Sequence, residues 1–518
     1  MKIFLKRNSE AILLLILVLT VLGRFYQLSG GVVLGEPDEV THQELVDSFR
    51  DSPWPQSSGG PWYYELPFFP FTAYLLSFVL PDRYLSLRVV SVVASSLLIF
   101  GIYLFLKKKV SVRAAFWGAL IFSLSPFSIF YSRVGMLDAT VVAFSTLSLI
   151  FFDLSRREGR ISYSILAGLF LGLGILTKYS ALVFLIVPIL FFLFSSARKT
   201  LAVVRREGVL RLDLGSTIFL LTTFLVVLPV FITIFWHDRY LFKLHLLTNL
   251  GLLRDHWWAQ SQSFGLIGNR DFLGNILWWT TWPVALLSLL GLLVLIRNFK
   301  SWYIFSSYIP IVVLGLFYKT PFYPRYFLLI IPFLSILSAL LFEKIADQFT
   351  KKGHPRLFWF TAALFVFLIL PTSYEAFRSS RHNLIEDSAA YVNSTVGAKN
   401  KDLWVFSTYW PNFYTFLIQG SKVGWLADSG WETSAFVDSQ NLSSLEIIKN
   451  SPAVVLIEDL YSPDPKFKNP SSRLNARSQI QKGYSPIKII EDNQPNFPHY
   501  RSAENKISIY VFSDDDTK

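Results

Sequence analysis

The 518-residue sequence contains no cysteine. That excludes a disulfide scaffold and any thiol nucleophile or thiolate metal site. Charge is scarce as well: Asp, Glu, Lys and Arg make up 16% of the chain, against roughly 25% in an ordinary soluble domain. A soluble chain of this length would divide into several domains, each needing its own charged surface. A soluble multidomain enzyme is therefore excluded. So are a disordered chain and a fibrous repeat, because 52% of residues are hydrophobic and 17% aromatic. A Gly-rich phosphate loop is missing, and so is any period that would mark a solenoid or propeller. Long apolar runs are present instead, and mean hydropathy is +0.43. The class is a polytopic α-helical membrane protein.

Runs near bilayer length fall at 10–28, 86–106, 112–130, 138–154, 161–177, 179–194, 215–235, 272–296, 301–318, 326–342 and 357–373, about eleven spans. The net charge of +12 is explained by where the cations stand. They gather in alternate gaps: Lys2, Lys6 and Arg7; Lys107, Lys108, Lys109 and Arg113; Arg156, Arg157 and Arg160; Arg198 to Arg211; Arg297 and Lys300; Lys344 to Arg356. By the positive-inside rule this set is cytoplasmic. The N-terminus is then inside and an odd number of spans leaves the C-terminus outside. The basic excess signals topology, and no nucleic acid partner is expected. The first span follows a basic segment, but Arg24 sits near its outer end and no small-x-small site follows, so an uncleaved helix is expected.

Residues 1–373 read as a transmembrane catalytic domain with outer loops at 29–85 and 236–270. The first loop is rich in Gly, Pro and Trp, with two short helices expected; the second carries His237, His245 and His256, which lack metal-ligand spacing. Beyond about residue 374 polar sequence alternates with short apolar runs. LWVFS (403–407), AVVLIED (453–459), IKII (487–490) and ISIYVF (507–512) read as strands, with helices at 383–395 and 442–449. This predicts a soluble extracytoplasmic α/β domain over 374–518.

Ionisable groups at membrane depth are costly and mark function. Asp38 and Glu39, in Gly35-Glu36-Pro37-Asp38-Glu39-Val40-Thr41-His42, follow the first span. Asp138, in Tyr131-Ser132-Arg133-Val134-Gly135-Met136-Leu137-Asp138, opens the fourth. Lys178 sits in the turn between spans five and six, and Lys319 and Arg325 flank spans nine and ten. Together they predict a polar cavity on one membrane face, suited to an anionic, lipid-borne substrate. A carboxylate takes a proton from a hydroxyl, cations stabilise a leaving phosphate, and carboxylates stabilise oxocarbenium-like character at a sugar carbon. Each residue also has a plainer reading: a solvated loop or cap for Asp38 and Glu39, an N-cap for Asp138, an interfacial anchor or a partner of Asp138 for Arg133, and snorkelling for Lys178.

At these residues the sequence resembles the GT-C glycosyltransferases, in particular the protein O-mannosyltransferase and aminoarabinose-transferase branch. The resemblance rests on Gly23-Arg24 followed by Asp38-Glu39, on Leu87-Arg88-Val89-Val90-Ser91, and on Ser125-Pro126-Phe127 through Arg133 to Asp138. Ala167-Gly168-Leu169 through Thr177-Lys178 and Pro324-Arg325-Tyr326-Phe327 extend it. It implies transfer of one sugar, with inversion, from a polyprenyl phosphate (dolichyl or undecaprenyl) to an acceptor hydroxyl or phosphate on the outer face. The acceptor class is a protein, a glycolipid or a cell-wall polymer. By position, the resemblance makes Asp38 the general base or an acceptor-binding carboxylate, Glu39 its support, and Asp138 the second acidic site residue. Arg133, Lys178, Lys319 and Arg325 are candidates for the donor phosphate. Two departures stand out. Thr41 intervenes before His42, where protein O-mannosyltransferases tend to read Asp-Glu-Val-His. And Tyr64-Glu65-Leu66-Pro67 lacks the basic residue often found there, leaving Glu65 as a further acidic candidate. The acidic set is compatible with a divalent cation and equally with metal-free chemistry.

Two other functions compete with single-sugar transfer. Oligosaccharide transfer would use a pyrophosphate donor, a divalent metal and different outer-domain motifs. A lipid-sugar transporter or flippase would place charges near the midplane on broken helices, often in two related halves; here the charges stand at span ends and the halves show no evident repeat.

Overall fold

The computed structural model describes residues 2–29, 38–57, 60–61, 66–80, 84–186, 188–189, 214–249, 280–298, 324–379 and 384–397, and the segments 404–407, 422–425, 453–459, 478–482, 484–491 and 506–512. The chain divides into two compact units. One comprises Met1–Leu28 with Leu45–Tyr374, the other Ser29–Glu44 with Glu375–Lys518. Residues 29–44, which the sequence assigns to a loop of the first domain, thus group with the C-terminal residues.

The larger unit is helical. Its helices are α1 (Lys2–Phe25), the end of α2 (Asp38–Ser48), α3 (Phe68–Ser77), α4 (Leu85–Lys109), α5 (Val112–Leu124), α6 (Pro126–Arg133), α7 (Leu137–Glu158) and α8 (Ile161–Ile175). A 3-10 helix follows at Tyr179–Leu185, then α9 (Leu214–Asn249), α10 (Trp282–Asn298), a second 3-10 helix at Pro324–Ile330, α11 (Ile331–Lys351) and α12 (Pro355–Ser379). Among the described residues, five helices are long and apolar enough to cross a membrane, and α5 with α6 makes a sixth span bent by 59°. The sequence reads 112–130 as one continuous span; Pro126, without an N–H, breaks it. The expected loop 236–270 also begins late, since α9 runs on to Asn249. No Gly or Pro stands between Pro229 and Gly251 to stop it. The predicted span at 301–318 lies outside the described residues.

Local chemistry sets the boundaries. The Ser111 hydroxyl accepts from the Ala114 N–H at 3.0 Å and starts α5. Gly159, at φ 66°, ends α7 and donates its N–H to the Ser155 carbonyl at 2.9 Å. Small residues let helices touch. A Cβ on Gly168 would stand 2.5 Å from the Phe219 carbonyl oxygen of α9, and one on Gly291 would stand 2.1 Å from that of Leu337 on α11.

The basic clusters meet acids at one end of this unit. Lys107 pairs with Glu10, Lys108 with Glu158 at 2.8 Å, and Lys109 with the fully buried Asp153. Arg113 grips Glu343 through two bonds of 2.8 and 3.0 Å and also reaches Asp347, joining α5 to α11. α7 extends from this end to Asp138, twenty residues and about 30 Å away, the thickness of a bilayer core. There the last turn of α2 and α3 pack on α4 and α7 through Val46, Phe69, Ala73, Leu87, Val90 and Leu137. The two short helices expected in 29–85 are these.

In the smaller unit, β3 (Trp404–Ser407), β4 (Lys422–Trp425), β5 (Ala453–Asp459), β6 (Lys488–Glu491) and β7 (Lys506–Phe512) form one mixed sheet in the order β4-β3-β5-β7-β6. (β1, Gln56–Ser57, and β2, Gly60–Pro61, form a separate two-residue ladder in the larger unit.) β4 and β5 run parallel to β3, while β7 runs antiparallel to β5 and β6. The centre is apolar: Val454, Val455, Leu456, Ile507 and Ile509 are fully buried. A helix, α13 (Leu384–Val392), packs on β6 and β7. Four of the strands lie within a residue or so of the predicted runs; β4 has no counterpart among them, because Lys422-Val423-Gly424-Trp425 carries only a weak apolar alternation. The helix predicted at 442–449 is outside the described residues.

Candidate active site

The described part of the site is assembled from two turns. α6 ends at Arg133, and Val134, Gly135 and Met136 lead into α7, whose first turn carries Asp138. Met136 donates its N–H to the Val134 carbonyl at 2.7 Å, and its own carbonyl accepts from the Ser91 hydroxyl of α4 at 3.0 Å. In the second turn, α8 ends at Ile175. The Thr177 and Lys178 N–H groups both turn back to the Gly174 carbonyl, at 3.1 and 3.0 Å, and Lys178 then heads the 3-10 helix. The Leu176 carbonyl of this turn accepts from the Phe68 N–H at 3.0 Å, tying it to α3.

These turns bring Lys178 and Asp138 together. The ammonium Nζ lies 3.0 Å from Asp138 Oδ1, with the lysine side chain 18% and the aspartate 6% exposed. The other oxygen, Oδ2, is buried and has no hydrogen-bond partner among the described residues. Asp138 is not the N-cap of its helix: Met136 holds that position, and among the described residues no side chain caps there. A carboxylate with one oxygen held by an ammonium and the other open, in a largely dry setting, is equipped to receive a further donor.

The other predicted residues divide. Arg133, 1% exposed, donates to the carbonyls of Arg24 at 2.7 Å, Tyr26 at 3.0 Å and Gln27 at 3.3 Å, all of them main chain. Arg325 stands partly buried in the 3-10 helix Pro324–Ile330, whose Phe327 ring meets Phe127 of α6 at 6.1 Å. Asp38 is the first residue of α2. Glu39 and His42, both buried, lie on one face of that helix by their i, i+3 spacing. Glu65 and Lys319 lie outside the described residues. Among the described residues no three His, Asp or Glu side chains cluster as a metal site, and the cation paired with Asp138 is an ammonium.

Sequence reasoning missed the polar cage around Arg24. This residue, 2% exposed, donates to Ser95 Oγ, Ser128 O and Ser132 Oγ at 2.7 to 2.9 Å and to Ser123 O and Ser128 Oγ at 2.8 and 2.9 Å. The serines frame the break at Pro126, where the Ser123 carbonyl has lost its helical donor. The run Ser123-Leu124-Ser125-Pro126-Phe127-Ser128 was the available signal.

Residues 65–237 match the family of dolichyl-phosphate-mannose-protein mannosyltransferases. Over nearly the whole chain the fold is similar to that of ArnT from Cupriavidus metallidurans, solved bound to undecaprenyl phosphate: TM-score 0.61 at 13% identity, covering 97% of this chain and 98% of that one. The chain has the GT-C fold. Residues 65–237 and this likeness together mark it as an integral membrane enzyme of the glycosyltransferase type. The GT-C fold also matches that of AglB, the oligosaccharyltransferase of Archaeoglobus fulgidus, solved with an inhibitory peptide and a dolichol-phosphate: TM-score 0.57 at 12% identity, covering 88% and 70% of the two chains. No curated protein sequence matches the chain significantly.

Proposed function

We propose that this GT-C enzyme is an inverting glycosyltransferase that moves a single sugar from a polyprenyl phosphate to an acceptor hydroxyl or phosphate. The observation that carries this reading is the Asp138–Lys178 pair, a buried carboxylate and a half-buried ammonium 3.0 Å apart at one end of the helices. In the reaction the acceptor oxygen forms a bond to the anomeric carbon while the bond from that carbon to the donor phosphate oxygen breaks. The acceptor proton passes to a carboxylate and polyprenyl phosphate leaves. Asp38 is the general base by its place in the Asp38-Glu39 motif, with Glu39 in support. Lys178, oriented by Asp138, supplies positive charge for the leaving phosphate. The undecaprenyl phosphate in ArnT and the dolichol-phosphate in AglB support a polyprenyl-phosphate donor.

The rest of the reading follows the charges. The basic end, with Lys107 to Lys109 and Arg113, is cytoplasmic, and Asp138 opens to the outer face. About eleven spans carry the N-terminus inside and residues 374–518 outside as an α/β domain concerned with the acceptor. A transporter is disfavoured because Asp138 and Lys178 stand at helix termini, about a full span from the basic end, and not at the midplane.

The test offers purified protein a panel of polyprenyl-phosphate monosaccharides beside a polyprenyl-pyrophosphate oligosaccharide, with crude membranes as acceptor, and measures released lipid. Turnover of one monosaccharide donor is expected. Turnover of the pyrophosphate oligosaccharide alone would replace this reading with oligosaccharide transfer.

A further inference from the structure

Arg133 stands five residues before Asp138, on the same turn. Its place in the sequence makes it a candidate for gripping the donor phosphate, yet its guanidinium is almost entirely enclosed and directed at three carbonyls of the α1 exit, those of Arg24, Tyr26 and Gln27. These carbonyls belong to a helix C-terminus, where partial negative charge collects and a cation is favoured. Gln27 sits at φ 48°, left-handed for a residue other than glycine, and such a conformation persists where surrounding bonds hold it. The next carbonyl, of Leu28, accepts from Arg88 Nη1 at 3.1 Å. In return Arg24, on the last turn of α1, grips α6 through Ser128 and Ser132. Each helix end therefore holds the other through an arginine. The far side of the same turn is pinned by Ser91 to Met136, two residues from Asp138.

We propose that Arg133 is a positioning residue for Asp138, not a ligand of the donor phosphate. With Ser91 it fixes the α6–α7 turn at both ends, so that Asp138 meets Lys178 in one geometry. A planar fork suits this task, because several carbonyls must be reached from one side chain, and a lysine ammonium cannot span them in the same way. The inference bears on the same site as the proposed glycosyl transfer, and its kinetic test rests on that reading; its second test does not.

For the kinetic test, Arg133→Lys and Ser91→Ala are made alone and each combined with Asp138→Glu, and polyprenyl phosphate release is measured against donor concentration. Each single variant should lower kcat about tenfold while KM for the donor stays within about twofold, as for a group that acts on the reacting geometry and not on binding. In the Asp138→Glu background the further loss should shrink to about twofold or less, because both changes act through one carboxylate. A rise in KM with kcat kept, full multiplication of the losses, or unchanged kinetics in both single variants would overturn the proposal.

The second test uses the absence of cysteine from the chain. A single thiol introduced as Asp138→Cys is exposed to a water-soluble maleimide in the otherwise native background, then with Arg133→Lys or Ser91→Ala added. The labelling rate should rise about tenfold or more when either anchor is weakened, reporting a loosened turn whatever reaction the protein catalyses. Equal rates in the three proteins would remove the positioning role. If no donor is turned over by the wild type, the glycosyl-transfer reading fails and the labelling rates alone decide this one.

Discussion

At the scale of single residues, the chemistry is carried by ionisable groups that a membrane protein retains at a cost. Asp138 and Lys178 are legible in the sequence for that reason: each is an isolated charge within a long apolar stretch. Breaking a buried pair leaves its partner uncompensated, which costs about 3–5 kcal/mol in proteins generally. Lys178→Met should therefore lower the thermal midpoint in detergent, and adding Asp138→Asn should restore most of it. A double variant no more stable than Lys178→Met would show that the pair does not matter to the fold. Asp138→Asn alone, which leaves Lys178 without its orienting partner, should lower kcat by about 100-fold, read as polyprenyl phosphate release. The partners of Arg133 are not legible. The acceptors described for it are main-chain carbonyls up to 109 positions away, and every residue carries a carbonyl, so no side-chain pattern announces which ones a buried arginine will reach.

Helices and turns pose a different problem, since apolar length reveals a span but not its path. The runs at 86–106 and 138–154 appear as α4 and α7 with only small changes at their ends, because Lys107 to Lys109 close the apolar run of one and Gly159 ends the other. The run at 112–130 is bent at Pro126, and hydropathy averages across such a break. The contacts between helices leave fainter marks. Gly168 and Gly172, four apart, face α9, and Gly291 lies against the Leu337 carbonyl. Gly291→Val should sharply reduce the yield of folded protein, since overpacking typically costs about 1–3 kcal/mol and here a backbone must move. Gly23→Ala, whose new Cβ would meet none of the described residues within 4 Å, should be neutral in the same measurement by size-exclusion chromatography and thermal melting. Equal losses from both would mean that the α10–α11 contact is not the tight one described.

For the whole molecule, the distribution of charge is the organising feature. The basic residues gather at one end of the helical unit and find acids there: Glu10, Asp153, Glu158, Glu343 and Asp347. The alternation of cations between apolar runs makes this end legible from charge and hydropathy alone. The grouping of residues 29–44 with the C-terminal residues is not legible in that way, because it depends on contacts between segments more than 300 positions apart. The cysteine-free background makes topology directly measurable. A thiol introduced as Lys108→Cys should resist an impermeant maleimide on intact cells, whereas Tyr484→Cys, at a residue 52% exposed, should label. The reverse pattern would invert the orientation and place Asp138 on the cytoplasmic face.

Glycosyl transfer from a polyprenyl phosphate, with Asp38 as base, is tested most directly by one comparison. Purified wild type and Asp38→Asn are given the polyprenyl-phosphate sugar that the wild type turns over, with and without a chelator, and polyprenyl phosphate release is followed in the presence of crude membrane acceptor. Wild type should release the lipid and the folded variant should lose activity by about 100-fold or more. Equal turnover by the two proteins would contradict the assignment of Asp38, and the chelator arm would report whether a divalent cation takes part.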